Sequence, residues 1–236
     1  MTSISAPFRT RVKFCGLTRE QDVQTAIHAG ADAIGFVLYP PSPRHVSLAR
    51  AAELARLLPA FITPVLLFVN ASETQVAQAM QAIPQALLQF HGDESPQQCH
   101  ALSQQGRYRY LRAARIPLDG PAPGFDLVEY AHSFSEAQAI LLDAHVTGYG
   151  GGGHTFNWSL LPTSVTSHLV LSGGLTPANV GDGIVQVRSR GLSLAVDVSS
   201  GIELDGPDGK PVKGVKSAEK MMQFMAAVRA ADVSGS

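Results

Sequence analysis

A thiol and a carboxyl group each stand at the end of an apolar run of strand length. Cys15 ends the run Arg11–Cys15, and Asp143 ends Ala139–Asp143 after three aliphatic residues. An acid at the end of so apolar a run is a poor choice for stability, so we interpret Asp143 as functional; its structural alternative is a cap for the next turn. Cys15 fits either a general base or a small hydrophobic side chain at the rim of a core. Together the two groups can supply a base and an acid.

Two strand ends rich in small residues indicate an anion site. One apolar run ends in Ser172-Gly173-Gly174, and another ends in Ser199-Ser200-Gly201. Small side chains allow backbone N–H groups to approach an anion, and the N-terminus of a following helix adds partial positive charge. The predicted phosphate-binding residues are Gly173, Gly174, Ser199, Ser200 and Gly201.

Three further segments are candidates for the same site. Prolines stiffen the segment before Arg44, whose guanidinium either binds a carboxylate through two N–H groups or is solvated at the surface. His91 ends a predicted strand, where it either contacts a substrate or faces inward and is held by a neighbouring strand. We interpret the glycine-rich run Gly148–Thr155 as a mobile loop over the site, with a plain flexible connector as the alternative.

Apolar runs recur through the chain at the spacing of strand–helix units. The predicted strands are Arg11–Cys15, Ala33–Leu38, Pro64–Val69, Ala86–His91, Tyr108–Ala113, Ala139–Asp143, His168–Ser172 and Leu194–Val198. Capping boxes predict helix starts at Thr18–Gln21 and Ser72–Gln75, whereas the helical pattern between Pro117 and Glu136 is the weakest. Eight such units predict an α/β fold, a single (β/α)8 TIM barrel of eight parallel strands.

An open doubly wound sheet is the structural alternative. Such a sheet carries a G-x-G-x-x-G turn after its first strand, whereas Cys15-Gly16-Leu17-Thr18 stands in that place. In a barrel the first and last strands are neighbours, and alternate residues share a face. Lys13 and Asp197 then face inward, and we predict that they pair because an unpaired buried charge costs several kcal/mol. Lys13 would also lower the pKa of the Cys15 thiol.

Composition excludes several classes of function. The 236 residues are 45% hydrophobic and 16% charged, with a formal net charge of -1, which argues against nucleic acid or an anionic membrane as partner. Two cysteines without metal-ligand spacing, and no apolar stretch of membrane-spanning length, predict a cytoplasmic protein. We expect residues 1–10 to form a flexible extension, residues 11–230 the barrel and residues 231–236 a C-terminal tail.

Several motifs resemble those of the phosphoribosylanthranilate isomerase family. They are Val12–Thr18, Gly30–Val37, Ser42–Arg44, Leu88–Gly92, Leu141–Asp143, Gly151–Trp158, Leu171–Leu175 and Val196–Glu203. The resemblance runs in order from Arg11 to Val228. One departure is Ser217, which stands where the family commonly has Asp.

The resemblance implies an isomerase of tryptophan biosynthesis. Its reaction would be the Amadori rearrangement of N-(5-phosphoribosyl)anthranilate to 1-(2-carboxyphenylamino)-1-deoxyribulose 5-phosphate, with no cofactor and no metal. By the family's motif, Cys15 is the general base, Asp143 the general acid, and Arg44 holds the anthranilate carboxylate. We also expect His91 and Asp197 to contact the substrate. The expected partner is this small phosphorylated molecule, and the chain is a monomer or a homodimer.

Two rival functions fit the same scaffold. The isomerase of the histidine pathway performs the same rearrangement on a substrate with two phosphates, but it resembles a twofold-repeated barrel with aspartate at both catalytic positions. A non-catalytic sensor of a phosphorylated ligand would keep the glycine segments, since a fold does not fix a function. Such a sensor has no reason to retain Cys15 and Asp143 together.

Overall fold

Eight parallel strands close into a barrel in the order of the sequence. The computed structural model describes residues 9–118, 125–144 and 155–234. The strands are β1 (Arg11–Cys15), β2 (Ala33–Val37), β3 (Thr63–Phe68), β4 (Leu87–Phe90), β5 (Tyr110–Ile116), β6 (Ala139–Ala144), β7 (His168–Leu171) and β8 (Ser193–Val198). Because β1 pairs with β8, the open sheet is excluded and the predicted TIM barrel is confirmed.

Helices follow most strands and cover the outside of the barrel. The α-helices in the described residues are α1 (Glu20–Ala29), α2 (Leu48–Ala55), α3 (Glu73–Ala82), α4 (Pro96–Leu102), α5 (Leu127–Ser133), α6 (Val180–Val187) and α7 (Ala218–Ser234). Between β6 and β7 the described residues form a 3-10 turn at Trp158–Leu160. Of the glycine-rich run Gly148–Thr155, all but Thr155 lies outside the described residues. Within these same ranges, no helix combines the length and apolar character needed to cross a membrane.

The two predicted capping boxes have different outcomes. At α3 the box is present, because the Ser72 side chain accepts from the backbone N–H of Gln75 and the Gln75 side chain binds back. At α1 the prediction is wrong: the helix begins at Glu20 without a side-chain cap. The reason is that the Thr18 hydroxyl donates to the carbonyl oxygen of Gly214 at 2.8 Å, far along the chain.

Two apolar clusters lie on opposite sides of the strands. The larger one, between strands and helices, contains Ile140 and Leu142 of β6, whereas Leu141 belongs to a smaller cluster inside the barrel. The members of that inner cluster are Val65, Leu111, Ala113, Ala139, Leu141 and Val170. The same alternation places Val12 and Phe14 of β1 in the outer cluster. The predicted faces of the strands are therefore correct, and the barrel is a packed core below the site.

The C-terminal part of the chain returns to the start of the barrel. After β8, two short strands, β9 (Glu203–Asp205) and β10 (Pro211–Lys216), form an antiparallel pair before α7. Phe224 of α7 packs edge-on against Phe14, with ring centroids 6.0 Å apart. Thr10 donates to the Asp232 carboxylate through its backbone N–H at 2.8 Å and its hydroxyl at 2.7 Å. This contact holds α7 in helical form to Ser234, beyond the barrel end expected at residue 230.

Candidate active site

The carboxyl ends of the strands surround a cleft that brings the predicted site residues together. Its polar lining includes Cys15, Arg44, Gln89, His91, Asp143, Ser172, Gly173, Gly174, Asp197, Ser199 and Ser200. Of the predicted residues, only Gly201 is not in this lining. In the part of the chain that the structure describes, no three His, Cys, Asp or Glu side chains are grouped to hold a metal ion. The cleft thus brings a thiol, two carboxyl groups, an imidazole and a guanidinium together with the two glycine segments.

A buried ion pair joins the first and last strands beneath the cleft. Nζ of Lys13 donates to Oδ1 of Asp197 at 2.8 Å, as predicted, and both side chains are buried. Ser172 donates its hydroxyl to the other oxygen of Asp197 at 3.4 Å. Burial alone would lower the pKa of Lys13, but Asp197 and Cys15 outweigh it and the pKa lies above 10.5. Lys13 therefore keeps its charge inside the barrel.

The Cys15 thiol has a raised pKa, so the predicted lowering by Lys13 is wrong in its net effect. Burial raises the pKa of Cys15 above 9.0, and Lys13 offsets this only in part because Asp197 acts in the opposite direction. The thiol packs against Gly35 of β2, where a Cβ would stand 2.7 Å from Sγ. A residue without a side chain at position 35 is thus required for Cys15 to reach the cleft.

Asp143 is held through both carboxyl oxygens. Its Oδ1 accepts from the backbone N–H of Ala144 at 3.0 Å, and its Oδ2 lies 3.0 Å from Nε2 of His91. The other ring nitrogen of His91, Nδ1, lies 3.0 Å from Nε2 of Gln89. His91 is therefore an inward side chain held by Gln89 of β4 and by Asp143 of β6, in agreement with its structural alternative. It also lines the cleft and contacts the candidate acid.

Arg44 is buried, so the alternative of a solvated surface arginine is wrong. Its Nε and Nη2 donate to the two carboxylate oxygens of Glu203 at 2.7 and 2.9 Å. Glu203 has no exposed surface and also accepts from the backbone N–H of Gly214 at 2.9 Å. The predicted two-pronged contact to a carboxylate exists, but the carboxylate belongs to the protein.

Lys216 completes the buried group around Glu203. Its Nζ lies 3.5 Å from Oε1 of Glu203 and donates to the carbonyl oxygen of Ser199 at 2.8 Å. Burial lowers the pKa of Lys216 to about 8, although the charge of Glu203 opposes this shift. Sequence reasoning gave no role to Glu203 or Lys216. A pair of opposite charges was the available signal: Glu203 comes directly after the anion segment, and Lys216 comes in the following strand, β10.

Arg112 is a second group that sequence reasoning missed. It is buried on the helix-facing side of β5, and its Nη1 donates to the carbonyl oxygen of Phe90 at 2.9 Å while Nη2 donates to that of Gly92 at 3.0 Å. These carbonyls flank His91. Nη1 also donates to Glu94 at 2.9 Å. A charged residue within the apolar pattern of a predicted strand was the available signal for this clamp.

The predicted phosphate segments meet at one side of the cleft. Gly173, Gly174, Ser199 and Ser200 line it, and a 3-10 turn, Ser200–Ile202, starts at the second segment. After the first segment, the next helix is α6, which starts at Val180. Gly201 has a packing role, because a Cβ there would lie 1.9 Å from the carbonyl oxygen of Leu175. This close approach brings the two segments together.

The whole barrel is similar to one family of enzymes. The family described as N-(5'phosphoribosyl)anthranilate (PRA) isomerase matches residues 12–227. Among curated relatives, the N-(5'-phosphoribosyl)anthranilate isomerase of Leptothrix cholodnii is 59% identical over 97% of this chain and 95% of its own length. That of Methylibium petroleiphilum is 56% identical over 95% of this chain and 96% of its own.

Solved structures of the same family share the fold. The phosphoribosyl anthranilate isomerase of Thermotoga maritima is 33% identical, covers 94% of this chain and 99% of its own, and has a TM-score of 0.78. A second structure contains the enzyme with reduced 1-(o-carboxyphenylamino)-1-deoxyribulose 5-phosphate; it is 31% identical with the same coverage and a TM-score of 0.75. A third shows monomers made from the dimeric T. maritima enzyme, at 30% identity, the same coverage and a TM-score of 0.72.

The raised pKa of Cys15 predicts a late titration of its thiol. In a Cys99→Ala protein, thiolate absorbance near 240 nm should appear above pH 9, because burial disfavours the charged form. Subtracting the titration of a Cys15→Ser/Cys99→Ala protein removes the tyrosine signal. A thiolate midpoint below pH 8 would show that Lys13 dominates instead.

Proposed function

Because the chain belongs to the N-(5'-phosphoribosyl)anthranilate isomerase family, we propose that its cleft performs the Amadori rearrangement of N-(5-phosphoribosyl)anthranilate to 1-(2-carboxyphenylamino)-1-deoxyribulose 5-phosphate in tryptophan biosynthesis. One observation carries the proposal. Cys15 and Asp143 line the same cleft as the two anion segments, although they lie on strands three positions apart around the barrel. An acid, a base and an anchor for phosphate therefore meet at one place.

Asp143 is the general acid of the first step. It gives a proton to the furanose ring oxygen, the bond from that oxygen to C1 breaks with its electron pair on the oxygen, and the anilino nitrogen forms a double bond to C1. The product is an open-chain Schiff base with a positive charge. The carboxylate left on Asp143 is stabilised by the backbone N–H of Ala144 and by contact with His91.

Cys15 is the general base of the second step. The thiolate removes the proton from C2, which the cationic imine has made acidic, and the resulting enolamine becomes the ketone. The raised pKa of the thiol suits this order of events. The thiol is a weak acid until the positive charge of the Schiff base forms nearby; it then releases its proton to water at the open end of the cleft, and the thiolate takes up the C2 proton in its place. The enolamine loses its O2 proton and gains a proton at C1, which gives the ketone.

Arg44 and the glycine segments orient the substrate. Glu203 occupies Nε and Nη2 of Arg44, so Nη1 is the donor left to meet the anthranilate carboxylate. Gly173, Gly174 and Ser200 present backbone N–H groups toward the phosphate. The substrate is thereby held at both ends, with its ribose between the acid and the base.

Neither rival function matches these residues as well. The histidine-pathway isomerase would need two phosphate sites and aspartate at both catalytic positions, whereas this cleft pairs a thiol with one carboxyl group and has one anion cradle in the described residues. A non-catalytic sensor would not need a glycine at position 35, where the absence of a side chain lets the Cys15 thiol reach the cleft.

Substitution of either catalytic group should abolish most turnover. In Cys15→Ser and Asp143→Asn, we expect kcat for the anthranilate substrate to fall at least about 100-fold, the lower end of the contribution of general acid–base catalysis. Fluorescence of the anthranilate group follows the reaction. Cys99→Ala, which changes the other cysteine, and Asp208→Asn, in the exposed hairpin turn, serve as controls. Rates close to the wild type in both catalytic variants would remove the proposed roles.

A negative charge in the anion cradle should weaken substrate binding. We expect Ser200→Asp to raise KM at least about tenfold with a small change in kcat, because like charges at short range repel strongly in a partly buried site. Ser193→Asp, at the opposite end of β8 and exposed, is the matched control. An unchanged KM in Ser200→Asp would place the phosphate elsewhere.

We infer that this chain forms a homodimer through the face at the amino ends of the strands, defined here by Phe61 and the adjacent recess. Phe61 is 98% exposed in the turn before β3. The recess beside it is lined by apolar side chains that include Val65 and Leu111 and by charged ones that include Arg9 and Arg109. Because the aromatic ring and the recess share one face, two copies related by a twofold axis can bury the ring against the apolar part of the recess. A solved T. maritima relative is described as dimeric, which supports a dimer for this chain.

The Phe61→Lys protein tests the interface. We expect light scattering after gel filtration to show a dimer for the wild type and a monomer for Phe61→Lys, because the ammonium would meet the arginines that line the recess and like charges repel. Turnover should persist in the monomer, because the cleft lies at the opposite end of the barrel. A wild-type protein that is monomeric at micromolar concentration contradicts the inference.

A further inference from the structure

A chain of three buried polar side chains runs from the inside of the barrel to Asp143. Gln89 has no exposed surface, and its Nε2 lies 3.0 Å from Nδ1 of His91. Nε2 of His91 lies 3.0 Å from Oδ2 of Asp143. Gln89 and His91 share the inward face of β4, and Asp143 reaches them from β6. The acid–base steps derived above assign no chemistry to Gln89.

The orientation of the Gln89 amide gives this chain a direction. An amide nitrogen can only donate, so Nδ1 of His91 must accept. A neutral imidazole with an accepting Nδ1 carries its proton on Nε2. That N–H group points at Oδ2 of Asp143. The amide oxygen of Gln89 is buried without a hydrogen-bond partner among the described residues, so the contact between its Nε2 and Nδ1 of His91 is the hydrogen bond that the structure gives this amide.

The two oxygens of Asp143 are therefore not equivalent. Oδ2 accepts from His91, whereas Oδ1 accepts from the N–H of Ala144 at 3.0 Å. Oδ1 also lies beside Gly173, where a Cβ would approach it to 3.1 Å. Because Gly173 has no side chain and lines the cleft, Oδ1 is the oxygen that a substrate can reach.

We propose that Gln89 is a positioning residue that fixes the Nε2–H tautomer of His91, so that His91 occupies Oδ2 of Asp143 and the transferable proton resides on Oδ1. The inference deepens the proposed function and rests on it for the identity of the reaction. The proton passes from Oδ1 to the ring oxygen of the substrate, and Asp143 becomes a carboxylate. The N–H of His91 is already directed at that carboxylate, so no group has to reorient as the charge forms.

The surroundings hold His91 in place for this role. Arg112 donates to the carbonyl oxygens of Phe90 and Gly92, on either side of His91 in the chain. Glu94 accepts from the backbone N–H of Gly92 at 2.9 Å and from Arg112 at 2.9 Å. The backbone around His91 is thus fixed independently of Gln89. The contribution of Gln89 is then the choice of tautomer rather than the position of the ring.

The tautomer of His91 tests the proposal directly, without substrate. In 15N-labelled protein, long-range proton–nitrogen spectra distinguish protonated from unprotonated ring nitrogens, and His91→Asn identifies the resonances of His91. We expect wild-type His91 to show an unprotonated Nδ1 and a protonated Nε2. In Gln89→Glu, whose carboxylate accepts, Nδ1 should become protonated. Wild-type His91 with its proton on Nδ1 overturns the proposal.

Kinetics supply the second readout. In Gln89→Met, which keeps the length of the side chain and removes the donor, kcat should fall about tenfold, the upper end of the net effect of one hydrogen bond, while KM changes less than about twofold. Gln138→Met, at the opposite end of the barrel and exposed, should leave kcat and KM unchanged. An equal rise in KM, or an unchanged kcat, in Gln89→Met contradicts a positioning role.

The two proposals fail in different ways. If the wild-type protein does not turn over the anthranilate substrate, the proposed function is wrong whatever the tautomer of His91. If it does turn over and His91 carries its proton on Nδ1, only the role of Gln89 is wrong.

Discussion

The ion pair between Lys13 and Asp197 is the interaction on which the site depends. It sits where β1 pairs with β8, with the two residues directly opposite in register, so it joins the beginning of the barrel to its end. Removing either partner would leave an uncompensated buried charge, which costs about 3–5 kcal/mol. The pair also acts on Cys15: burial raises the pKa of its thiol, Lys13 opposes this rise, and Asp197 adds to it.

The same rule applies to the other charged groups at the mouth of the barrel. Arg44 is bound to Glu203, and Asp143 is bound to His91. These ionisable side chains at the cleft thus already have partners from other strands or loops, as burial demands. In the proposed function, the groups left for the anions of the substrate are the remaining N–H groups of Arg44 and the backbone N–H groups at the glycine segments, and the latter need no counter-charge of their own. Small residues in the glycine segments would leave those N–H groups accessible.

Sequence patterns predicted what depends on local periodicity. The alternation of side chains along β1, β4, β6 and β8 was enough to place Lys13, His91 and Asp143 inside the barrel, because a strand has a period of two and one face is apolar. Closure of the barrel then brought Lys13 and Asp197 together. What sequence reasoning missed depends on contacts between distant parts of the chain. Glu203 and Arg112 have partners that no local pattern specifies. Thr18 caps no helix because its hydroxyl donates to the carbonyl oxygen of Gly214.

The pairing of charges also bears on the order of the proposed chemistry. Burial raises the pKa of the Cys15 thiol, which favours its protonated form in the free cleft, and a positive charge formed beside it would favour the thiolate. Asp143, by contrast, is already oriented by the Ala144 N–H group and by His91. In the proposed reaction, ring opening by Asp143 therefore comes before removal of the C2 proton by Cys15. The base would then become active only on a substrate that the acid has already opened.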